Sequence, residues 1–305
     1  MSAIPIVDFD AFLNGTLNER KQVSIELIQV VKKFGFVYLK NYGFPKGIVE
    51  KLFKLNQDFF DQSLEKKLTM RKTHETFCGY DALQDEKLTD DRPSDLKESY
   101  MLKQYGTPWP NDLPEFKEFM LDFHHKCYLL ASEILRSFAI GLNLDQNIFE
   151  SKFNKLECTI VRLLHYPPLP EQTEPHQIRA GEHTDYGALS ILFQDSIGGL
   201  EVKSTENEWI PASYYDNTII INVGDAMEML TNGLLKSTLH RVVNPKDDSK
   251  QKSRYSVVFF CDPDLDAEIK CIEDFVSQDN PAKFSPLLYK EHLMKKLKAT
   301  YPKLY

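Results

Sequence analysis

Gly181-Glu182-His183-Thr184-Asp185-Tyr186-Gly187-Ala188-Leu189-Ser190 sets a histidine and an aspartate two residues apart. The run that follows, Leu189 to Phe193, is apolar and rich in strand formers, so the pair reads as standing at a strand entrance. Alternate residues of a strand share a face, so His183 and Asp185 are expected to point the same way. An imidazole and a carboxylate converging from one face make two thirds of a metal site. The rest of the chain decides whether a third ligand joins them.

The chain has 305 residues, enough to bury a substantial core. It is 42% hydrophobic, 27% charged and 12% aromatic, with a formal net charge of -8. That balance argues against a nucleic-acid partner, which needs a concentrated basic face. Lys295, Lys296 and Lys298 read instead as the solvated side of a C-terminal helix. No apolar run is long enough to span a bilayer, and Met1 to Asp10 lacks the basic and apolar stretches of a secretory signal. The five cysteines (Cys78, Cys127, Cys158, Cys261 and Cys271) are scattered, without a C-x-x-C. This fits the reduced thiols of a cytoplasmic protein better than a disulfide framework or a zinc site.

The first half alternates short strands with amphipathic helices. Ile4 to Phe9 and Phe34 to Leu39 read as strands, and Asn18 to Lys33 and Pro45 to Phe60 as helices. Lys72 to Lys97 is polar and patternless and reads as a long loop. Ser99 to Leu102 reads as a strand and Leu113 to Leu144 as a long helix. His124 and His125 are neighbours in that helix and point about 100° apart, so they make no metal pair. Near Glu157 the texture changes. Short strand-like runs follow: Cys158–Tyr166, Leu189–Phe193, Gly199–Lys203, Glu208–Pro211, Thr218–Val223, Ser237–Val243 and Arg254–Phe260. Turn residues separate them, which suggests a sandwich or barrel against which the helical first half packs. After Asp262 a polar segment leads to a final helix from about Ser285 to Ala299.

His240 lies in another strand-like run, and it offers the third ligand. Two imidazoles and one carboxylate are the donor set of non-haem iron(II) oxygenases. On the next run Arg254 and Ser256 share parity with Val258 and Phe260. A buried arginine is costly unless it meets an anion, and an Arg-x-Ser pair suits a carboxylate. His176 and Arg179 sit in the loop Pro170 to Ala180 that leads into His183, where a substrate contact is conceivable beside the plainer reading of a solvated loop.

These segments resemble the isopenicillin N synthase-like branch of the iron(II)/2-oxoglutarate-dependent dioxygenases. The matching residues, in order, are His183-Thr184-Asp185-Tyr186-Gly187, Gly198-Gly199-Leu200-Glu201-Val202, Asn222-Val223-Gly224-Asp225, Leu230-Thr231-Asn232-Gly233, His240-Arg241-Val242-Val243 and Arg254-Tyr255-Ser256. Ile4 to Asp8, Phe34 to Leu39 and Asp95 to Ser99 match more loosely. The resemblance implies a mainly β double-stranded β-helix, or jelly roll, with flanking α-helices. It implies an N-terminal region over 1–156 packed on the barrel, a jelly-roll core over 157–262 and a C-terminal helical segment over 263–305. It implies iron(II) on His183, Asp185 and His240, and 2-oxoglutarate held by Arg254, Ser256 and Tyr166, with O2 as the oxidant. Phe260 would face the substrate. The reaction implied is hydroxylation, desaturation or ring closure of a small molecule, with succinate and carbon dioxide released. Leu164 stands where many 2-oxoglutarate users carry Asn. An oxidase like isopenicillin N synthase, whose Arg-x-Ser pair holds a substrate carboxylate, is therefore an alternative; a non-catalytic jelly-roll sensor is another.

Overall fold

A computed structural model describes residues 3–73, 77–88, 92–246 and 248–301. The first half runs β1 (Ile6–Asp8), α1 (Asp10–Asn14), α2 (Leu17–Phe34), β2 (Phe36–Lys40), α3 (Lys46–Phe60), α4 (Leu64–Leu68), β3 (Gly79–Asp81), β4 (Glu98–Leu102) and α5 (Phe116–Gly141). The second half runs β5 (Ile160–Tyr166), β6 (Ala180–His183), β7 (Leu189–Gln194), β8 (Leu200–Lys203), β9 (Trp209–Pro211), β10 (Thr218–Val223), α6 (Asp225–Leu230), β11 (His240–Val242) and β12 (Arg254–Cys261). It closes with β13 (Glu268–Ile269), β14 (Leu287–Leu288) and α7 (Tyr289–Thr300).

Two sheets face each other as a jelly roll. The larger has the order β1-β2-β10-β7-β12-β5-β4-β3 and the smaller β6-β11-β8-β9. The N-terminal strands therefore extend the large sheet at both edges. That sheet is buried on both faces, which is why its strands read as near-continuous apolar runs. Along β12, Val257, Phe259 and Cys261 pack outward with Phe123, Ala131 and Phe138 of α5. Arg254, Ser256, Val258 and Phe260 turn inward toward the small sheet. The same alternation puts Ile219, Ile221 and Val223 of β10 outside and Ile220 and Asn222 inside.

Local sequence sets the helix ends. Thr16 and Glu19 form a reciprocal capping box at the start of α2, and Gly35 ends it in the left-handed region at φ 68°. Several expectations shift. Lys72 to Lys97 contains β3, whose three residues are too few to show alternation; residues 74–76 and 89–91 of that stretch lie outside the described residues. Only His240–Val242 of the run Ser237–Val243 is strand, and Cys158 belongs to a single helical turn. Six-residue α6 carries too short a pattern to be legible. Lys296 is not simply solvated, because it forms an ion pair with Asp225 at 2.6 Å. No helix among the described residues is long and apolar enough to cross a membrane.

Candidate active site

The two histidines meet as a cross-strand pair. β6 and β11 run antiparallel with His183 directly opposite His240, and their rings lie 4.2 Å apart, centroid to centroid. Contrary to the parity argument, Asp185 does not share a strand with His183. β6 ends at His183, and Asp185 sits in the turn between β6 and β7. That turn is fixed by backbone: the Asp225 amide donates to the Asp185 carbonyl at 2.8 Å, and Ala188 donates to Cys261 at 3.0 Å. Gly187 and Gly224 allow the crossing. A Cβ on Gly187 would meet Asp262 Oδ1 at 2.2 Å, and one on Gly224 would meet the Gly187 carbonyl at 2.4 Å.

Ligand atoms of His183, Asp185 and His240 all lie within 4.8 Å of one another. Their partners decide which atoms face the centre. His183 Nδ1 is bonded to the Gly181 carbonyl at 2.8 Å and His240 Nδ1 to the Thr238 carbonyl at 3.1 Å. Each Nδ1 therefore carries the proton, and each Nε2 is left as a lone-pair donor. Asp185 Oδ2 accepts from Asn222 Nδ2 at 2.7 Å and from the Ser190 hydroxyl. Those donors face each other across β10 and β7, and they leave Oδ1 on the histidine side, 3.7 Å from His240 Nε2. Burial alone would push the Asp185 carboxyl up. The two histidines and the Ser190 and Asn222 bonds outweigh it and hold the group below its usual range. Burial and the neighbouring His240 push the His183 imidazole down. Both groups are thus poised in the deprotonated form a metal requires. Two imidazoles and a carboxylate suit iron(II), and three ligands on one face leave the other positions of an octahedral ion free.

Around this centre lie two lobes of one cavity, which share Leu88, His183, Asp185, Arg162 and Phe260. The first is lined by Arg254, Ser256 and Tyr166. Arg254 and Tyr166 are register partners on β12 and β5, and the guanidinium lies over the phenol ring at 4.8 Å. Arg254 Nη1 donates to the Ser256 hydroxyl at 3.2 Å and Nη2 to Gln194 at 3.2 Å, while its buried Nε has no partner. A buried guanidinium without a carboxylate on its fork fits a carboxylate ligand. Leu164, opposite Ser256, supplies apolar wall.

The second lobe has aromatic walls, Phe77, Tyr186, Phe260 and Tyr301, and is closed by Leu293 and Leu297 of α7. Its polar floor is a buried ion network. Glu86 accepts from Arg162, from Lys97 at 3.0 Å and from the Tyr301 hydroxyl at 3.0 Å. Burial pushes Glu86 up, but Arg162 and Lys97 outweigh it and hold the carboxyl well below its usual range. Lys97 also meets Asp95 at 2.6 Å, and Asp95 in turn accepts the Gly181 amide at 2.9 Å, which ties the network to β6.

The remaining expectations divide. Tyr166 faces the cavity, while His165 faces away, bonded to Glu98 and Ser253. Phe260 lines both lobes. His176 is not brought to either lobe; it is exposed, with a left-handed backbone at φ 63° and a carbonyl that accepts from Arg92. Arg179 is not on a solvated loop but fully buried, bonded to the carbonyls of Pro167 and Lys252. Sequence reasoning gave no role to Asn222, Ser190, Gln194, Arg162 or Glu86. Arg162 was within reach, because it shares strand parity with Leu164 and Tyr166.

Comparison with known proteins shows the family. The 2OG-Fe(II) oxygenase superfamily model matches residues 157–263, and the model described as non-haem dioxygenase in morphine synthesis N-terminal matches residues 4–120. A 2-oxoglutarate-Fe(II) type oxidoreductase, ppzD, of Metarhizium rileyi is 31% identical over 97% of this chain and 90% of its own. A homoarginine-6-hydroxylase of Glycine max is 30% identical over 97% of this chain and 96% of its own. The crystal structure of a full-length Neurospora crassa protein in complex with alpha-KG and thymine superposes with a TM-score of 0.88, at 35% identity over 97% of this chain and 96% of that one. These relatives do not favour the oxidase alternative, and Leu164 does not mark this chain as a non-user of 2-oxoglutarate. The chain belongs to the 2OG-Fe(II) oxygenase superfamily, as an iron(II)- and 2-oxoglutarate-dependent oxygenase of small molecules.

Proposed function

We propose that His183 Nε2, Asp185 Oδ1 and His240 Nε2 hold the iron(II), and that Arg254, Ser256 and Tyr166 hold the far carboxylate of 2-oxoglutarate. The observation that carries this reading is the pinned tautomer of both histidines together with the pinned Oδ2 of Asp185. Three donor atoms are thereby aimed at one point before any metal arrives. Bound there, iron(II), 2-oxoglutarate and O2 supply oxidative decarboxylation to succinate and carbon dioxide and the transfer of oxygen to a C–H bond. The chain's residues supply position and dryness. Arg254 and Ser256 fix the far end of the keto acid. Phe260 and Val258 keep water from the junction of the two lobes. α7 closes the substrate side through Leu293 and Leu297, tied down by Lys296 on Asp225 and by Tyr186 on Thr300.

The substrate lobe supports a flat, uncharged molecule with a polar edge. Its walls are aromatic, and its charges are already matched: Arg162 lies on Glu86, which Lys97 also meets from the first lobe. A cationic side chain would find no unspent carboxylate among the described lining residues except Asp262, whose carboxyl burial pushes up to about 7. The Neurospora relative, solved with thymine and with 5-formyluracil, is in keeping with a planar ligand. Oxygen-dependent succinate release tests this: thymine and related planar amides should stimulate it, and homoarginine should not. Stimulation by homoarginine alone would overturn the substrate reading. The division into regions 1–156, 157–262 and 263–305 belongs to the same proposal, as does a cytoplasmic location, which the five scattered cysteines support.

A further inference from the structure

Arg179 stands out among the buried charges. It is 0% exposed, lies in neither lobe, and carries no carboxylate on its guanidinium. Its Nη2 donates to the carbonyls of Pro167 at 3.3 Å and Lys252 at 3.0 Å, while Nε and Nη1 have no partner. Those two carbonyls are significant by position. Pro167 follows Tyr166 at the end of β5, and Lys252 stands two residues before Arg254 at the start of β12. One guanidinium thus clasps the paired strand ends that present Tyr166 and Arg254.

The charge balance there is uneven. Arg254 and Arg179 are mutually repulsive, and burial and Arg254 together push the Arg179 guanidinium down to about 10, so it stays charged at neutral pH. The nearby carboxylate of Asp195 is committed to the amides of Tyr255 and Ile197, and burial pushes its carboxyl up. Two buried cations beside one lobe are a costly arrangement unless a dianion arrives there.

We propose that Arg179 is a positioning residue for 2-oxoglutarate. It locks the Tyr166 and Arg254 strand ends and adds a second positive charge behind the far carboxylate, an inference that rests on Arg254, Ser256 and Tyr166 binding that carboxylate. Arg179 acts through Arg254 and touches no reacting atom.

The test compares two keto acids on the Mn(II)-loaded full chain, without turnover, by calorimetry: 2-oxoglutarate, and 2-oxopentanoate, which lacks the far carboxylate. Arg254→Met should lose most of the preference for 2-oxoglutarate. Arg179→Gln should weaken 2-oxoglutarate about tenfold and leave 2-oxopentanoate within about twofold. Arg179→Lys, which keeps the charge and shortens the reach, should lose about threefold on 2-oxoglutarate alone; it also decides the matter if the glutamine variant does not fold. Equal loss on both keto acids, or none on either, in whichever Arg179 variant folds overturns the proposal while leaving the Arg254 reading intact. An unchanged preference in Arg254→Met overturns both.

Discussion

Asn222→Ala removes one of the two bonds that hold Asp185 Oδ2. The amide donates at 2.7 Å from a buried position on β10, and the Ser190 hydroxyl, its cross-strand neighbour, provides the other bond. A hydrogen bond to a buried charge contributes roughly 1.5–3 kcal/mol, and loss of such an outer partner typically costs a metal site 10- to 100-fold in affinity, about 1.4–2.7 kcal/mol. The loss has two parts. The carboxylate gains freedom to rotate Oδ1 away from the histidines, and its pKa rises, because burial is then opposed by one hydrogen bond fewer. A raised pKa lets protons compete better with metal at low pH. Because the wild-type carboxyl lies below its usual range, the deficit of the variant should be level from pH 8 to 6 and widen only in the acid range, below about pH 5. Anaerobic Mn(II) or iron(II) titration by calorimetry reads both effects, with circular dichroism to confirm the fold. Ser190→Ala should show the same pattern, and the double variant should lose less than the product of the two single effects if the bonds serve one rotor. Metal binding within twofold of wild type in both single variants would refute the reasoning that these donors orient the ligand.

Three further outcomes follow from named contacts. Gly187→Ala drives a Cβ into Asp262 Oδ1 and the Cys261 carbonyl, so unfolding stability should fall by roughly 1–3 kcal/mol and metal binding should weaken, since the same turn carries Asp185; wild-type urea and metal titrations would contradict it. Asp262, buried, is pushed from 3.8 up to about 7. A raised carboxyl pKa stabilises the fold below the unfolded value and loses that contribution as pH rises through the folded value. The stability of metal-free wild type minus that of Asp262→Asn should thus fall between about pH 4 and pH 7, by up to ~4 kcal/mol, and level off above; a flat difference in urea midpoints would refute it. Glu86→Gln strips the shared partner of Arg162 and Lys97, both buried, and should cost roughly 3–5 kcal/mol in urea unfolding; a loss under about 1 kcal/mol would show the network to be slack.

Much of the fold was legible because the large sheet is buried on both sides. Its strands announce themselves as apolar runs, and the turns Asp216-Asn217 and Asn232-Gly233 separate them cleanly. The candidate residues were legible through side-chain types in known order. Their geometry was not. His183 and His240 face each other only because β6 and β11 pair in one register, which is a long-range fact. Asp185 was assigned to a strand because H-x-D alternation in sequence does not reveal that β6 stops at His183. Arg179 was misplaced for a similar reason: a polar loop sequence does not show that its arginine folds back under the strand ends. The closure by α7 depends on Lys296 reaching Asp225 across the molecule, a contact with no local signature. β3 and α6 were missed because three and six residues carry too little periodicity.

The central claim is that His183, Asp185 and His240 hold iron(II) while Arg254 and Ser256 present 2-oxoglutarate to it. Anaerobic addition of iron(II) and then 2-oxoglutarate to the full chain, followed by visible absorption, tests it most directly. A weak charge-transfer band should appear only with both present. It should vanish in Asp185→Ala and require far more 2-oxoglutarate in Arg254→Met. No band in the wild-type protein, or an undiminished band in Asp185→Ala, would contradict the account.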